Sequence, residues 1–373
     1  MTGSYRSRRQ RVAEKLRSDG ISAALFEDAE GSSDPSIRYL CGQPSDALLV
    51  ITADGASRLV AWDLNMAKVM AEVDELVAYG EYSRLADRAL AASLQALGVA
   101  PGSRVELPST FAYPRYVRFV EALADYDLVC RDDGIAAHVL ALRAVKDAEE
   151  IAIYRRAAAI TDGLMDRVEE ALRSGSARSE LDLALLIERE CRAAGCEGTG
   201  FETLAAGPAR SFGIHAFPPF GSGRFGGPGM SILDFGLKLE GYTTDVTMTF
   251  LRGDLGEDRE RMLALVLKAR EAAIPLIRPG AATREVALAV DEVFASGGLV
   301  MPHALGHGIG LEAHEAPAIR SREDNTDRFE PGNVVAVEPG LYHPELGGIR
   351  FEDDFLVTPE GCEKLTHSRI VRL

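Results

Sequence analysis

Apolar and polar positions follow two different periods along this chain, and the switches between them outline its elements. Residues 7–20 recur at helical spacing and stop at Gly20. ISAALFE (21–27) and DALLVITADG (46–55) predict strands with a turn, followed by a helical run over 64–73. Strand and helix signals then alternate to about residue 130, predicting an α/β N-terminal domain. Over 140–172, LALRAVKDAEEIAIYRRAAAITDGLMDRVEEAL keeps an amphipathic helical period and predicts one long helix opening a second domain. The expected organisation is therefore 1–140 and 141–373.

The second domain carries an internal repeat. Gly175-Ser-Ala-Arg-Ser-Glu180 heads the helical run LDLALLIERECRAAG, and 105 residues later Gly280-Ala-Ala-Thr-Arg-Glu285 heads VALAVDEVFASGG. Glycine, a glutamate five positions on, a helix and a glycine-containing turn read as one unit used twice, with a cleft expected between the copies.

Period-2 runs in the same domain carry the chemistry. In LDFGLKLEGYTTDVTMTF (233–250) two strand-like runs meet around Gly241, so a hairpin brings Asp234 and Asp245, eleven residues apart, to one end of a sheet. Alternation sets Asp245, Thr247 and Thr249 on one face and Val246, Met248 and Phe250 on the other. HALGHGIGLEAHE (303–315) is too rich in glycine for a stable helix, which places His303, His307 and His314 on a loop and strand; Pro317 argues against a helical zinc-protease motif. Glu338 ends the apolar run VVAV, and in GGIRFEDDFLV Arg350 and Glu352 share a face, so Arg350 is expected to project into the cavity that Glu352 enters. Arg350 either balances the carboxylates, orients a metal ligand or grips a substrate carboxylate. Carboxylates and imidazole without thiolate suit divalent ions of the manganese, cobalt or zinc kind, and several carboxylates with one histidine point to two ions.

Composition narrows the partners. A formal charge of −16 leaves no basic stripe for nucleic acid or an anionic membrane. The first twenty residues contain a basic stretch but no apolar segment after it, and nowhere do eighteen apolar residues run together, so a soluble cytoplasmic enzyme is expected. Cys41, Cys130, Cys191, Cys196 and Cys362 form no CxxC, which fits a reducing compartment.

The order and setting of these fragments resemble the M24 metallopeptidase family of methionine aminopeptidase, Xaa-Pro aminopeptidase and Xaa-Pro dipeptidase (prolidase). SIRYLCGQPSDALLVI and SRLVAWD more faintly resemble the N-terminal domain of prolidases and creatinases. The resemblance implies a smaller α/β creatinase-like domain followed by an α+β pita-bread catalytic domain with a pseudo-twofold repeat. Carried over residue by residue, it makes Asp234, Asp245, His307, Glu338 and Glu352 metal ligands, with Asp245 and Glu352 bridging two ions. Manganese leads, with cobalt, zinc and iron as alternatives. It further implies that Glu338 moves a proton, that His314 and His215 stabilise the reacting group, and that His303 lines the substrate pocket.

The expected reaction is hydrolysis of an Xaa-Pro bond, first as a dipeptidase, since Arg350 would hold a free C-terminal carboxylate. The alternatives are an Xaa-Pro aminopeptidase and a non-peptidase relative acting on another small substrate. Two departures from the family pattern bear on substrate: the glycine-rich 217–230 segment, and Met248 where arginine is common. A homodimer is expected from the resemblance alone.

Overall fold

The computed structural model describes residues 2–29 and 34–373, which divide into two compact units, Met1–Arg143 and Ala144–Leu373. In the first, β1 (Ala23–Asp28), β2 (Ala47–Thr52), β3 (Ser57–Ala61), β4 (Glu75–Ala78), β5 (Arg104–Glu106) and β6 (Asp127–Val129) form one mixed sheet in the order β4-β3-β2-β1-β5-β6. Strands β1 and β2 are buried along their whole length, because helices cover both faces of the sheet. On one face Leu25, Leu48, Val50 and Val60 pack with Leu90, Leu94 and Phe119 of the helices Ala86–Ala96 and Tyr113–Ala122.

The second unit opens with the helix Ala148–Ser174. Its start is fixed by a capping box between Asp147 and Glu150, and its end by Gly175 in the left-handed region. Ser179 and Asp182 cap the next helix, Glu180–Ala193, in the same reciprocal way. These helices cover a four-stranded sheet, and a second helix pair, Gly256–Ala273 and Thr283–Ser296, sits with a five-stranded one. The unit is the pita-bread fold. The repeat in the sequence is thus a repeat of layout, although its two glutamates differ: Glu180 is buried and ion-paired to Arg210 at 2.7 Å, while Glu285 is exposed.

The first half contributes β7 (Gly198–Thr199), β8 (Leu204–Ala206), β9 (Gly229–Phe235), β10 (Leu237–Leu239), β11 (Tyr242–Thr243) and β12 (Val246–Arg252). The second contributes β13 (Gly306–Gly308), β14 (Glu315–Ile319), β15 (Val334–Val337), β16 (Gly340–His343), β17 (Gly347–Arg350), β18 (Asp353–Thr358) and β19 (Gly361–Lys364). The last strand, β20 (Ile370–Arg372), returns to pair in parallel with β12. The two large sheets run β20-β12-β9-β8 and β14-β13-β15-β18-β19. They approach where Thr247 bridges to Glu352, just ahead of β18, and the Thr249 hydroxyl donates at 2.7 Å to the carbonyl of Arg350 on the two-stranded β16–β17 hairpin. Among the described residues, no helix is long and apolar enough to cross a membrane.

Candidate metal centre

The β9–β12 hairpin forms as its alternation predicts. Val246, Met248 and Phe250 are buried with Leu233 and Phe235 in the core beneath, while Thr247 lies opposite Asp234 across the pair. Side chains two apart share a face, so Asp245 joins Thr247 and Asp234 on the open side. Met248 therefore points away from the cavity, and its difference from the common arginine leaves the cavity wall untouched.

His307 sits in the middle of β13 between two glycines that the packing demands. A Cβ at Gly306 would stand 2.0 Å from the Ala336 carbonyl oxygen, and one at Gly308 2.0 Å from that of Ala316. The glycines of GHG thus let neighbouring strands close around the histidine. Glu338 follows β15, Glu352 lies in the break between β17 and β18, and His314 immediately precedes β14.

These elements converge on a cavity of about 350 Å³ lined by His215, Asp234, Asp245, His307, His314, Glu338 and Glu352. Asp245, His307 and Glu352 each offer a ligand atom, all within 4.8 Å of one another. His307 Nε2 lies 3.8 Å from Asp245 Oδ2 and 3.7 Å from Glu338 Oε1, and its ring centroid is 4.1 Å from that of His314. Asp234 Oδ1 is buried without a hydrogen-bond partner.

The electrostatics are those of a site short of positive charge. Burial raises the carboxyl of Asp245 well above the usual carboxylate range, and the charges of Glu352, Asp234, Asp354 and Glu338 raise it further. Glu338 is raised likewise by burial and then by Glu352. Glu352 is pushed up to about 8 by burial and by Asp234, and burial holds His307 down to about 4, the form in which an imidazole ligates. Oxygen donors, one neutral imidazole and crowded acids fit divalent cations.

Two expected residues are hydrogen-bonded within the protein. His303 lies beside Glu338, with Nδ1 at 3.9 Å from Glu338 Oε2 and 2.7 Å from the Ala304 carbonyl, and Nε2 at 3.2 Å from the Tyr342 hydroxyl. Arg350, absent from the wall, is 1% exposed. Its Nε donates to the Thr247 hydroxyl at 2.9 Å, Nη1 to the Ile214 carbonyl at 3.1 Å and the Tyr342 hydroxyl at 2.9 Å, and Nη2 to Asp234. The substrate grip expected of Arg350 therefore gives way to its other expected role, orienting a ligand carboxylate, because protein acceptors already hold the guanidinium. Arg350→Met should destabilise the protein by about 3–5 kcal/mol, the cost of breaking a buried pair from one side. Lysine should restore only part of this, having one ammonium for four acceptors. Urea unfolding with manganese present measures it, and an unchanged midpoint would contradict the arrangement.

Sequence reasoning placed Thr247 on the same face as Asp245 without giving it a role, and overlooked Asp354. Thr247 donates to Glu352 Oε2 at 2.6 Å, and Asp354 Oδ2 accepts the backbone N–H of Asp245 at 3.1 Å. Asp354 lies two residues beyond Glu352, so the alternation that paired Arg350 with Glu352 already contained it.

The model for metallopeptidase family M24 matches residues 152–359, and that for the creatinase/prolidase N-terminal domain matches 8–129. A Bacillus subtilis protein described as uncharacterized peptidase YqhT is 31% identical over 346 residues, 90% of this chain and 92% of that one. Among solved structures, an Xaa-Pro dipeptidase from Bacillus anthracis aligns with a TM-score of 0.85 and 26% identity, covering 99% of this chain and 100% of that chain. An X-Pro aminopeptidase from Thermotoga maritima aligns at 0.82 and 26%, covering 96% and 100%.

Proposed function

The chain belongs to metallopeptidase family M24, and from that premise we propose that it hydrolyses the peptide bond preceding proline, using two divalent ions, manganese foremost. The observation that carries this reading is one cavity holding the cluster Asp234, Asp245, His307, Glu338 and Glu352 beside an apolar wall of Phe201, Leu204, Ala216, Phe217 and Pro219. The cluster suits the ions and the wall suits a pyrrolidine ring. The departing 217–230 segment supplies two residues of that wall, so it acts in substrate fit.

When bound, divalent ions supply Lewis acidity that polarises the scissile carbonyl and makes water a nucleophile near neutral pH. In this reading Asp234, Asp245, His307, Glu338 and Glu352 would hold the ions. Glu338 carries a proton from the attacking water to the leaving nitrogen. His314 and His215 donate hydrogen bonds to the oxygen that gains charge. Arg350 holds Asp234 in place and Thr247 holds Glu352. The likeness to the B. anthracis dipeptidase supports action on dipeptides and that to the T. maritima aminopeptidase action on longer peptides; with Arg350 committed to the protein, the sequence argument for dipeptides loses its clamp.

The test is release of the residue before proline from Ala-Pro, Ala-Pro-amide and an Ala-Ala control, with manganese and after chelation. Metal-dependent cleavage confined to the proline substrates is expected; equal cleavage of Ala-Ala, or full activity without metal, would reject the reading.

Stability should follow the same groups. Metal-free protein holds Glu352 near 8, above the ordinary carboxylate value near 4.5, so this group's contribution to stability is complete below about pH 4.5 and lost as pH rises through 8. Metal-free protein should therefore melt at a lower temperature at pH 8 than at pH 6, and manganese should raise Tm more at pH 8. Thermal unfolding at both pH values decides this, and a metal effect that shrinks with pH would contradict it.

A further inference from the structure

Resting on the Xaa-Pro reading, a further inference concerns the one charged group on the apolar wall. Between β7 and β8 the chain runs Phe201-Glu202-Thr203-Leu204; Glu202 and Leu204 line the cavity, whereas Thr203 is buried. Leu204 pairs with Asp234 across β8 and β9, so Glu202 lies two residues further along the wall, about 6–7 Å in an extended chain. It is exposed, and among the described residues no side chain pairs with it. Phe201, Leu204, Phe217 and Pro219 share its wall, so a substrate whose proline is seated on that wall shares the cavity with this carboxylate.

Among the described residues the cavity wall has no lysine or arginine, and the guanidiniums of Arg350 and Arg210 are engaged within the protein. Arg350 is held as described above. Arg210 donates to Glu180 at 2.7 and 3.1 Å, to the Pro218 carbonyl at 2.6 Å and to the Ala205 carbonyl at 3.2 Å. Bound ions balance the ligand carboxylates, which leaves Glu202 as the uncompensated charge facing substrate.

We propose that Glu202 is a specificity residue that selects against a free carboxylate on the proline and in favour of a continuing peptide, above all one whose next residue is arginine or lysine. A substrate carboxylate that came to about 7 Å from Glu202 in a solvent-filled cavity mouth would be repelled by enough to change a rate roughly three- to tenfold. The site then works as an aminopeptidase site on peptides of three or more residues.

The experiment compares kcat/KM of the manganese-loaded protein on Ala-Pro, Ala-Pro-amide and Ala-Pro-Arg-amide, for wild type and E202Q. Wild type should prefer the amide to the acid about three- to tenfold, with a further gain from arginine. E202Q should bring the acid-to-amide ratio close to one through a gain on the acid, and should lose the arginine gain. Raising the salt to 0.5 M, roughly a 4–5 Å screening length, should narrow the wild-type gap in the same sense. A wild-type preference for the free acid, or ratios that E202Q leaves unchanged, would overturn the assignment of Glu202 while leaving the Xaa-Pro reading intact. A wild type that cleaves none of the three would overturn both.

Discussion

Asp245→Ala is expected to lose bound metal and activity together, with kcat/KM down by about three to five orders of magnitude, the rate equivalent of several kcal/mol of metal catalysis. Asp245 is 5% exposed, its carboxylate faces His307, and its backbone N–H is tied to Asp354. The alanine variant keeps the backbone tie and removes only the carboxylate. Elemental analysis should show metal falling from the proposed two ions per chain to one or fewer, since Asp245 stands in one cluster with His307 and Glu352. In chelator at pH 8 the same variant should melt above wild type, because it deletes one member of a crowded acid cluster. With manganese the order should reverse. Full metal content in the variant would remove Asp245 from the ligand set.

His314→Ala should instead keep its metal and lose turnover by about two to four orders of magnitude, the range for a group that stabilises charge or moves a proton in the transition state. His314 lines the cavity beside His307, and burial followed by His215 holds its imidazole below the usual range, which favours the neutral form that can donate one hydrogen bond. The loss should fall on kcat with KM changed little. Loss of metal in His314→Ala to the level of Asp245→Ala would merge the two roles and refute the division.

How much of this was legible depends on how local each signal was. The hairpin carrying Asp234 and Asp245 could be read because one face of β12 is threonine and aspartate and the other valine, methionine and phenylalanine, and a strand period assigns faces without further information. The same rule gave Arg350 the right face and the wrong depth. A period says which side a guanidinium leaves from; it does not show the acceptors that hold it, Ile214, 136 residues away, and the Tyr342 hydroxyl on the paired strand of its own hairpin. His303 shares that hydroxyl, a contact no local period announces. Glu202, a single acid in a short connection, has no sequence pattern to mark it and emerges only when the cavity wall is closed around it.

The two glycines beside His307 bear on how this site can evolve. With no room for a Cβ at Gly306 or Gly308, the histidine cannot be traded with a neighbour or slid along its strand, and the tied hairpin gives Asp234 and Asp245 no more latitude. On the proposed reading, descendants of this chain that adapt to a different ion would keep the acidic and histidine cluster and vary the hydroxyls, guanidinium and carboxylate behind it. Directed evolution of metal preference is best aimed at Thr247, Tyr342, Arg350 and Asp354, where libraries can alter ligand basicity without dismantling the strands.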